Sequence, residues 1–262
     1  MKPDAVGALY ESESLARRYL LRFCWEDGAP QCPRCRCVKI YNLKEGRLRC
    51  SQCGYTFHDF SDRWINSARL TCRQWLQLTH LFEQDLTTRK ISTSVGVSYD
   101  TAYRAVNAIR QSLPAIGPGD FSVGSSSESS PVFGIKAAER LIEADVLSGL
   151  HPEQILAQDS KKHKLSSVVF SAGYEKWDAL VFSCAPEVLE PFRDSLEGPL
   201  MKGHGVAEFL RYSSTRLSRH RNISPKRFPL YMRELVFRFN NRDRSLFVLL
   251  VDRLCSLMSG YA

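Results

Sequence analysis

Four cysteines carry the first legible chemistry: Cys32-Pro-Arg-Cys35, then fourteen residues, then Cys50-Ser-Gln-Cys53-Gly54. Two residues between paired cysteines put both sulfurs on one tight turn, where thiolates at ~2.3 Å can share a tetrahedral ion. The spacer suits a short hairpin, with Lys39-Ile40-Tyr41 on one arm and Arg47-Leu48-Arg49 on the other. Gly54 can take the positive φ that lets backbone amides approach the sulfurs. The pattern predicts a zinc ribbon in which Cys32, Cys35, Cys50 and Cys53 hold one structural zinc ion per chain. Four protein ligands leave no open position for catalysis. Cys37 is a possible substitute for Cys35, and Cys24, Cys72, Cys184 and Cys255 are expected in the core. The cysteine count is nine, and an odd count without a secretory leader argues against a disulfide framework.

A second group of residues could meet a polyanion. The net charge is +8 and unevenly spread. Residues 1–113 hold 17 Lys/Arg against 11 Asp/Glu, residues 114–192 hold 6 against 11, and residues 193–262 hold 13 against 6. A basic head and a basic tail around an acidic middle suggest nucleic-acid contact through two regions. In the head, a helix ending near Val95, the turn at Gly96 and a helix capped by Ser98 read as a helix-turn-helix. Tyr99, Thr101, Ala102, Tyr103 and Arg104 would lie where side chains reach base edges, with Arg110 further along the same helix. Val97, Val106 and Ile109 would pack inward. The tail is basic through Arg211, Arg216, Arg219, His220, Arg221, Lys226 and Arg227; its arginines and lysine are expected to contact DNA, with Arg216, Arg219 and Arg221 holding phosphates.

The elements that must position these groups follow from periodicity. Ser12 to Trp25 and Thr71 to Asp85 carry apolar residues at helical spacing, Leu15, Tyr19, Leu20 and Phe23 in the first and Trp75, Leu78, Leu81 and Phe82 in the second. Residues 114–131, rich in Pro, Gly and Ser, resemble a flexible tether. Beyond it, Val132–Ile135, Leu141–Val146 and Ser167–Phe170 read as strands. Pro152–Gln158 and Tyr174–Leu180 read as helices, followed by helices over Val206–Ser218, Pro225–Phe239 and Ser245–Met258. The expected fold class is multidomain α+β: a helix and zinc ribbon in 1–62, the helix-turn-helix in 63–113, a linker in 114–131, and an α/β domain with C-terminal helices in 132–262. At 44% apolar residues the chain can bury a core. It has no run of ~20 apolar residues and no signal-like start, so a cytoplasmic protein without membrane contact is expected.

With these residues in view, the chain resembles the insertion-sequence transposases that join an N-terminal zinc ribbon to an RNase-H-like DDE domain, a group related to eukaryotic Merlin elements. The resemblance is carried by the ribbon through Tyr55-Thr56-Phe57, by Pro131–Ile135, by Ser171–Leu180, and by Phe228–Arg242 with its Phe237-Arg-Phe-Asn240 ending. It implies two aspartates and a glutamate holding two divalent ions for phosphodiester attack. Hard cations need oxygen ligands. The matching positions here are Ser125–Ser130, where Glu128 is the one acid, then Ala172 and Ala207. Glu208 stands one residue late, a ~100° rotation on a helix.

The expectation is therefore a catalytically inactive, domesticated relative that binds double-stranded DNA as a transcription regulator or nucleoid-associated protein, without catalytic Mg²⁺. Two alternatives stand beside it: an active transposase using Glu128, Asp178 and Glu208, and a ribbon scaffold that binds other proteins. Homodimers or larger assemblies are expected from the apolar residues Phe237, Phe239, Leu246, Phe247, Leu249, Leu250 and Leu254.

Overall fold

In the computed structural model, residues 3–25, 29–116, 131–158, 162–165, 167–192, 205–220 and 223–258 are described. The expected linker lies largely outside these residues, as do Glu128 and Arg221. The chain forms two units, residues 1–113 with 243–262, and residues 114–242.

The first unit starts with helices α1 (Pro3–Leu9) and α2 (Glu13–Cys24). Ser12 caps α2 by accepting from the Leu15 N–H at 3.2 Å. A three-stranded antiparallel sheet follows, β1 (Ile40–Asn42), β2 (Leu48–Cys50) and β3 (Thr56–Phe57), in the order β1-β2-β3. Then come α3 (Cys72–Glu83), α4 (Thr88–Val95) and α5 (Tyr99–Ser112). Glu13 of α2 accepts from the Cys72 and Arg73 backbone N–H groups, at 2.7 and 3.1 Å. A carboxylate at those orphan donors also complements the helix dipole of α3. Burial alone would raise the pKa of Glu13, but these backbone donors outweigh it and hold the acid below its usual value.

The last helix, α10 (Leu246–Cys255), belongs to this unit and not to residues 132–242. Packing gives the reason. Phe247 is fully buried, stacks on Tyr19 at 6.3 Å, and its N–H donates to Glu83 of α3 at 2.9 Å. Arg63 is buried and donates to the carbonyls of Cys24 and Cys255, at the C-terminal ends of α2 and α10. A cation there neutralises two dipole ends at once. The ribbon and the following helices likewise fall in this one unit.

The second unit is built on five strands, β4 (Phe133–Ala138), β5 (Leu141–Val146), β6 (Lys162–Leu165), β7 (Val168–Tyr174) and β8 (Trp177–Ser183), in the order β5-β4-β8-β7-β6. Every pairing is antiparallel, so the unit is α+β; the expected α/β sheet is not what these strands form. Tight two-residue turns decide this, because parallel neighbours need a long crossover. Ala138 pairs with Leu141 across Glu139-Arg140, and Tyr174 pairs with Trp177 across Glu175-Lys176. The second turn also corrects the helix expected over Tyr174–Leu180. That stretch closes one strand and opens the next.

Side chains alternate between two cores. Phe133, Ile135, Ala179 and Val181 face one core with α8 (Val206–Leu217) and α9 (Phe228–Asn240). Val132, Val169, Leu180 and Phe182 face another with α6 (Pro152–Leu156) and Leu189 of α7 (Pro186–Leu189). A sheet covered on both faces explains the continuous apolar run in β8. The apolar residues behind the expectation of assembly are largely consumed within the chain: Phe239, Phe247, Leu250 and Leu254 are buried.

Candidate metal centre and basic surfaces

The four ribbon cysteines converge. Their sulfurs lie within 4.8 Å of one another, with 3.5 Å separating Cys32 from Cys53, Cys35 from Cys50, and Cys35 from Cys53. Four sulfurs at ~2.3 Å from one ion would stand ~3.8 Å apart. The set fits a zinc ion. Among the described residues it is the one group of three or more His, Cys, Asp or Glu close enough to share a metal.

Two equivalent turns build the site. The Arg36 N–H donates to the Cys32 carbonyl at 2.8 Å, and the Gly54 N–H to the Cys50 carbonyl at 3.2 Å. Both closing residues have positive φ, 56° at Arg36 and 70° at Gly54. The Gln52 N–H also donates to the Cys50 sulfur at 3.3 Å. Cys37 stands aside, facing Ser51 Oγ at 3.6 Å and the Lys39 carbonyl at 3.9 Å, so the first turn supplies Cys35.

Electrostatics give the same assignment a cause. The Tyr55 N–H, with the neighbouring thiols, draws the Cys53 thiol down to about 7. The Cys37 N–H lowers Cys35, but burial and the thiols of Cys50, Cys53 and Cys32 outweigh it and push Cys35 up to about 12. Clustered sulfurs cannot all ionise together without a cation. A dication removes that conflict, so metal affinity becomes folding energy.

The second predicted site begins where local chemistry puts it. The Gly96 backbone is left-handed at φ 73°, ending α4, and Ser98 caps α5 by accepting from the Thr101 N–H at 3.2 Å. Tyr99 is 52% exposed and stacks on Tyr103 at 6.0 Å. Arg104 is exposed and Thr101 half-buried. Arg110 is buried, its position on α5 turned inward with Val106 and Ile109.

The basic tail lies on the other unit. Arg211 and Arg219 are exposed on α8 and just beyond it, and Lys226 and Arg227 on the 3₁₀ turn Pro225–Arg227. Arg216 is half-buried with its guanidinium over the Tyr212 ring at 4.6 Å.

Ala172 lies in β7, opposite Ala179, and Ala207 is buried in the first turn of α8. Asp178 sits on β8, not on the expected helix. Its carboxylate accepts from the Ala137 N–H at 3.1 Å, just past the last β4–β8 register pair, and so satisfies a strand-end donor. Glu208 is exposed on α8.

The sequence reading gave no contact role to the ribbon's own cations. Residues 34–49 contain six Lys/Arg and one acid, Glu45, and all six are exposed. That local charge run was the available signal.

Comparison with known proteins bears on the ribbon first. Residues 11–56 match the transposase zinc-ribbon domain of the IS1595 type. Over 114 residues the chain is 25% identical to an uncharacterized protein in transposable element ISH50 of Halobacterium salinarum, covering 42% of this chain and 38% of that protein. No solved structure matches. Residues 11–56 are therefore similar to a transposase zinc ribbon, and the four cysteines there are placed for one zinc ion. No helix among the described residues is long and apolar enough to cross a membrane.

Proposed function

We propose that this chain is a transposase-derived DNA-binding protein that does not catalyse strand transfer and acts as a transcription regulator or chromosome-associated protein. The observation that carries the reading is the start of α5, which exposes Tyr99 in its first turn and Arg104 in its second, behind a capped glycine turn. A helix entering a major groove reads bases from its N-terminal residues. The transposase-type ribbon and the exposed Arg211, Arg219, Lys226 and Arg227 add support, since cations on phosphates contribute affinity without reading sequence.

The proposal of inactivity rests on residue chemistry at the positions that the family resemblance assigns to the second and third metal ligands. Ala172 and Ala207 offer no oxygen to a hard cation. Asp178 is engaged by a backbone N–H, and Glu208 faces solvent.

Two variants test the reading in a binding-site selection from random duplexes. Arg104→Ala is expected to relax preference at one or two positions, a loss of ~1–3 kcal/mol of discrimination. Arg219→Ala is expected to weaken all sequences alike and lower the salt slope by about one. Equal, sequence-independent losses from both would refute α5 as the reading helix. Metal-dependent cleavage by the unaltered protein would refute inactivity.

A further inference from the structure

The three-stranded ribbon sheet has one buried and one open face. Leu48, Cys50 and Phe57 are 6% exposed or less and point to the interior. Side chains alternate along strands, so the pairing of Tyr41 with Arg49 and of Arg49 with Thr56 sets these three in one row on the opposite face. Lys39 opposes Ser51 on one side of that row, where the Ser51 N–H donates to the Lys39 carbonyl at 3.1 Å. Leu43 opposes Arg47 on the other side, through a 2.8 Å bond from the Leu43 N–H. Tyr41 is 52% exposed, and Leu43, two positions along the same row, is 37% exposed.

Such an arrangement is costly for a surface with no occupant. Exposed apolar residues on an edge strand invite unwanted pairing. The charge around them is one-sided. The six cations of residues 34–49 meet a single carboxylate, Glu45, which lies 3.9 Å from Arg47. Arg34 lies on the Tyr55 ring at 3.8 Å. No ion pair to Lys39 or Arg49 occurs among the described residues.

We propose that this open face binds single-stranded DNA, with an unpaired base stacking on Tyr41 between Arg49 and Lys39. The inference rests on the reading that the chain binds DNA, but it uses a surface separate from α5. Charge complementarity selects a polyanion. The aromatic ring selects among polyanions, because base faces in a duplex are covered by their neighbours, whereas unpaired bases stack on aromatic side chains beside cations. A duplex could use the cations but not the ring.

The test uses the full zinc-loaded chain, a labelled mixed-sequence oligonucleotide and its duplex, followed by fluorescence anisotropy at several salt concentrations. Tyr41→Ala is expected to weaken single-strand binding about tenfold or more, while Tyr41→Phe retains it and duplex binding changes by less than about twofold. Arg49→Ala is expected to weaken single-strand binding and to lower its salt slope by about 0.7. Zinc content and melting temperature serve as controls for folding, since both side chains are exposed. Unchanged single-strand affinity in Tyr41→Ala, or none in the unaltered protein, overturns the assignment. Equal losses on both DNAs overturn its single-strand selectivity. Arg104→Ala separates the two readings: it should alter duplex preference and leave single-strand binding alone.

Discussion

At the residue scale, the two turns of the zinc site solve one backbone problem with different amino acids. Each needs a left-handed residue four positions after its first cysteine so that an N–H can reach the cysteine carbonyl. Gly54 meets this at no steric penalty, whereas Arg36 holds φ 56° against its own Cβ. A non-glycine residue in that region costs ~1–2 kcal/mol. Part of this is offset because glycine loses more freedom on folding. Arg36→Gly is therefore expected to raise the melting temperature of the zinc-loaded protein slightly, by up to about 1 kcal/mol in stability. Gly54→Ala is expected to lower it by a similar amount. Thermal melts in zinc-buffered solution check both, and a clear destabilisation by Arg36→Gly would show that its side chain has a structural role outweighing the strain.

At the element scale, the β7–β8 hairpin shows how one side chain can specify a sheet. Trp177 opens β8 and lies over Gly134 of β4, where an added Cβ would stand 2.4 Å from the ring. Gly134 pairs with both Leu180 and Asp145, so the backbone there is held from two sides. Neither the strand nor the indole can yield without disturbing its neighbours. Gly134→Ala should destabilise this unit by ~1–3 kcal/mol through overpacking. Chemical denaturation followed by Trp fluorescence reads the shift, and a wild-type midpoint would mean that Trp177 is free to move aside.

At the scale of the whole molecule, the chain leaves its first unit at residue 113 and returns to it at residue 243. The returning helix contributes Phe247, Leu250, Val251, Leu254 and Cys255 as buried side chains. Each such burial contributes ~1.5–3 kcal/mol, so their sum rivals the whole stability of a typical domain. The helix also supplies the carbonyl of Cys255 to Arg63, whose buried charge would otherwise lose a partner. A chain truncated after Arg242 should therefore lose the cooperative melting of the first unit. Circular dichroism and hydrogen exchange on α2, α3 and α5 would detect this. Protection of those helices unchanged by the truncation would show that α10 is dispensable.

What the sequence determined by itself is what neighbouring residues settle among themselves. The zinc ligands were legible because two turns and a hairpin bring them together over 22 residues, from Cys32 to Cys53. The start of α5 was legible because Ser98 and Gly96 cap their own helices whatever surrounds them. Tertiary structure decided everything that depended on a distant partner. Tyr174–Leu180 carries apolar residues at a spacing that suits a helix, and only burial against two cores and the pairing with β7 makes it turn and strand. Arg110 is basic and helical, and only packing turns it inward. Nothing local marks α10 as belonging with residues more than a hundred positions earlier. Capping and metal-ligand geometry are short-range and directional, so the sequence states them; hydrophobic burial is non-directional, so its partner is chosen only when the chain folds.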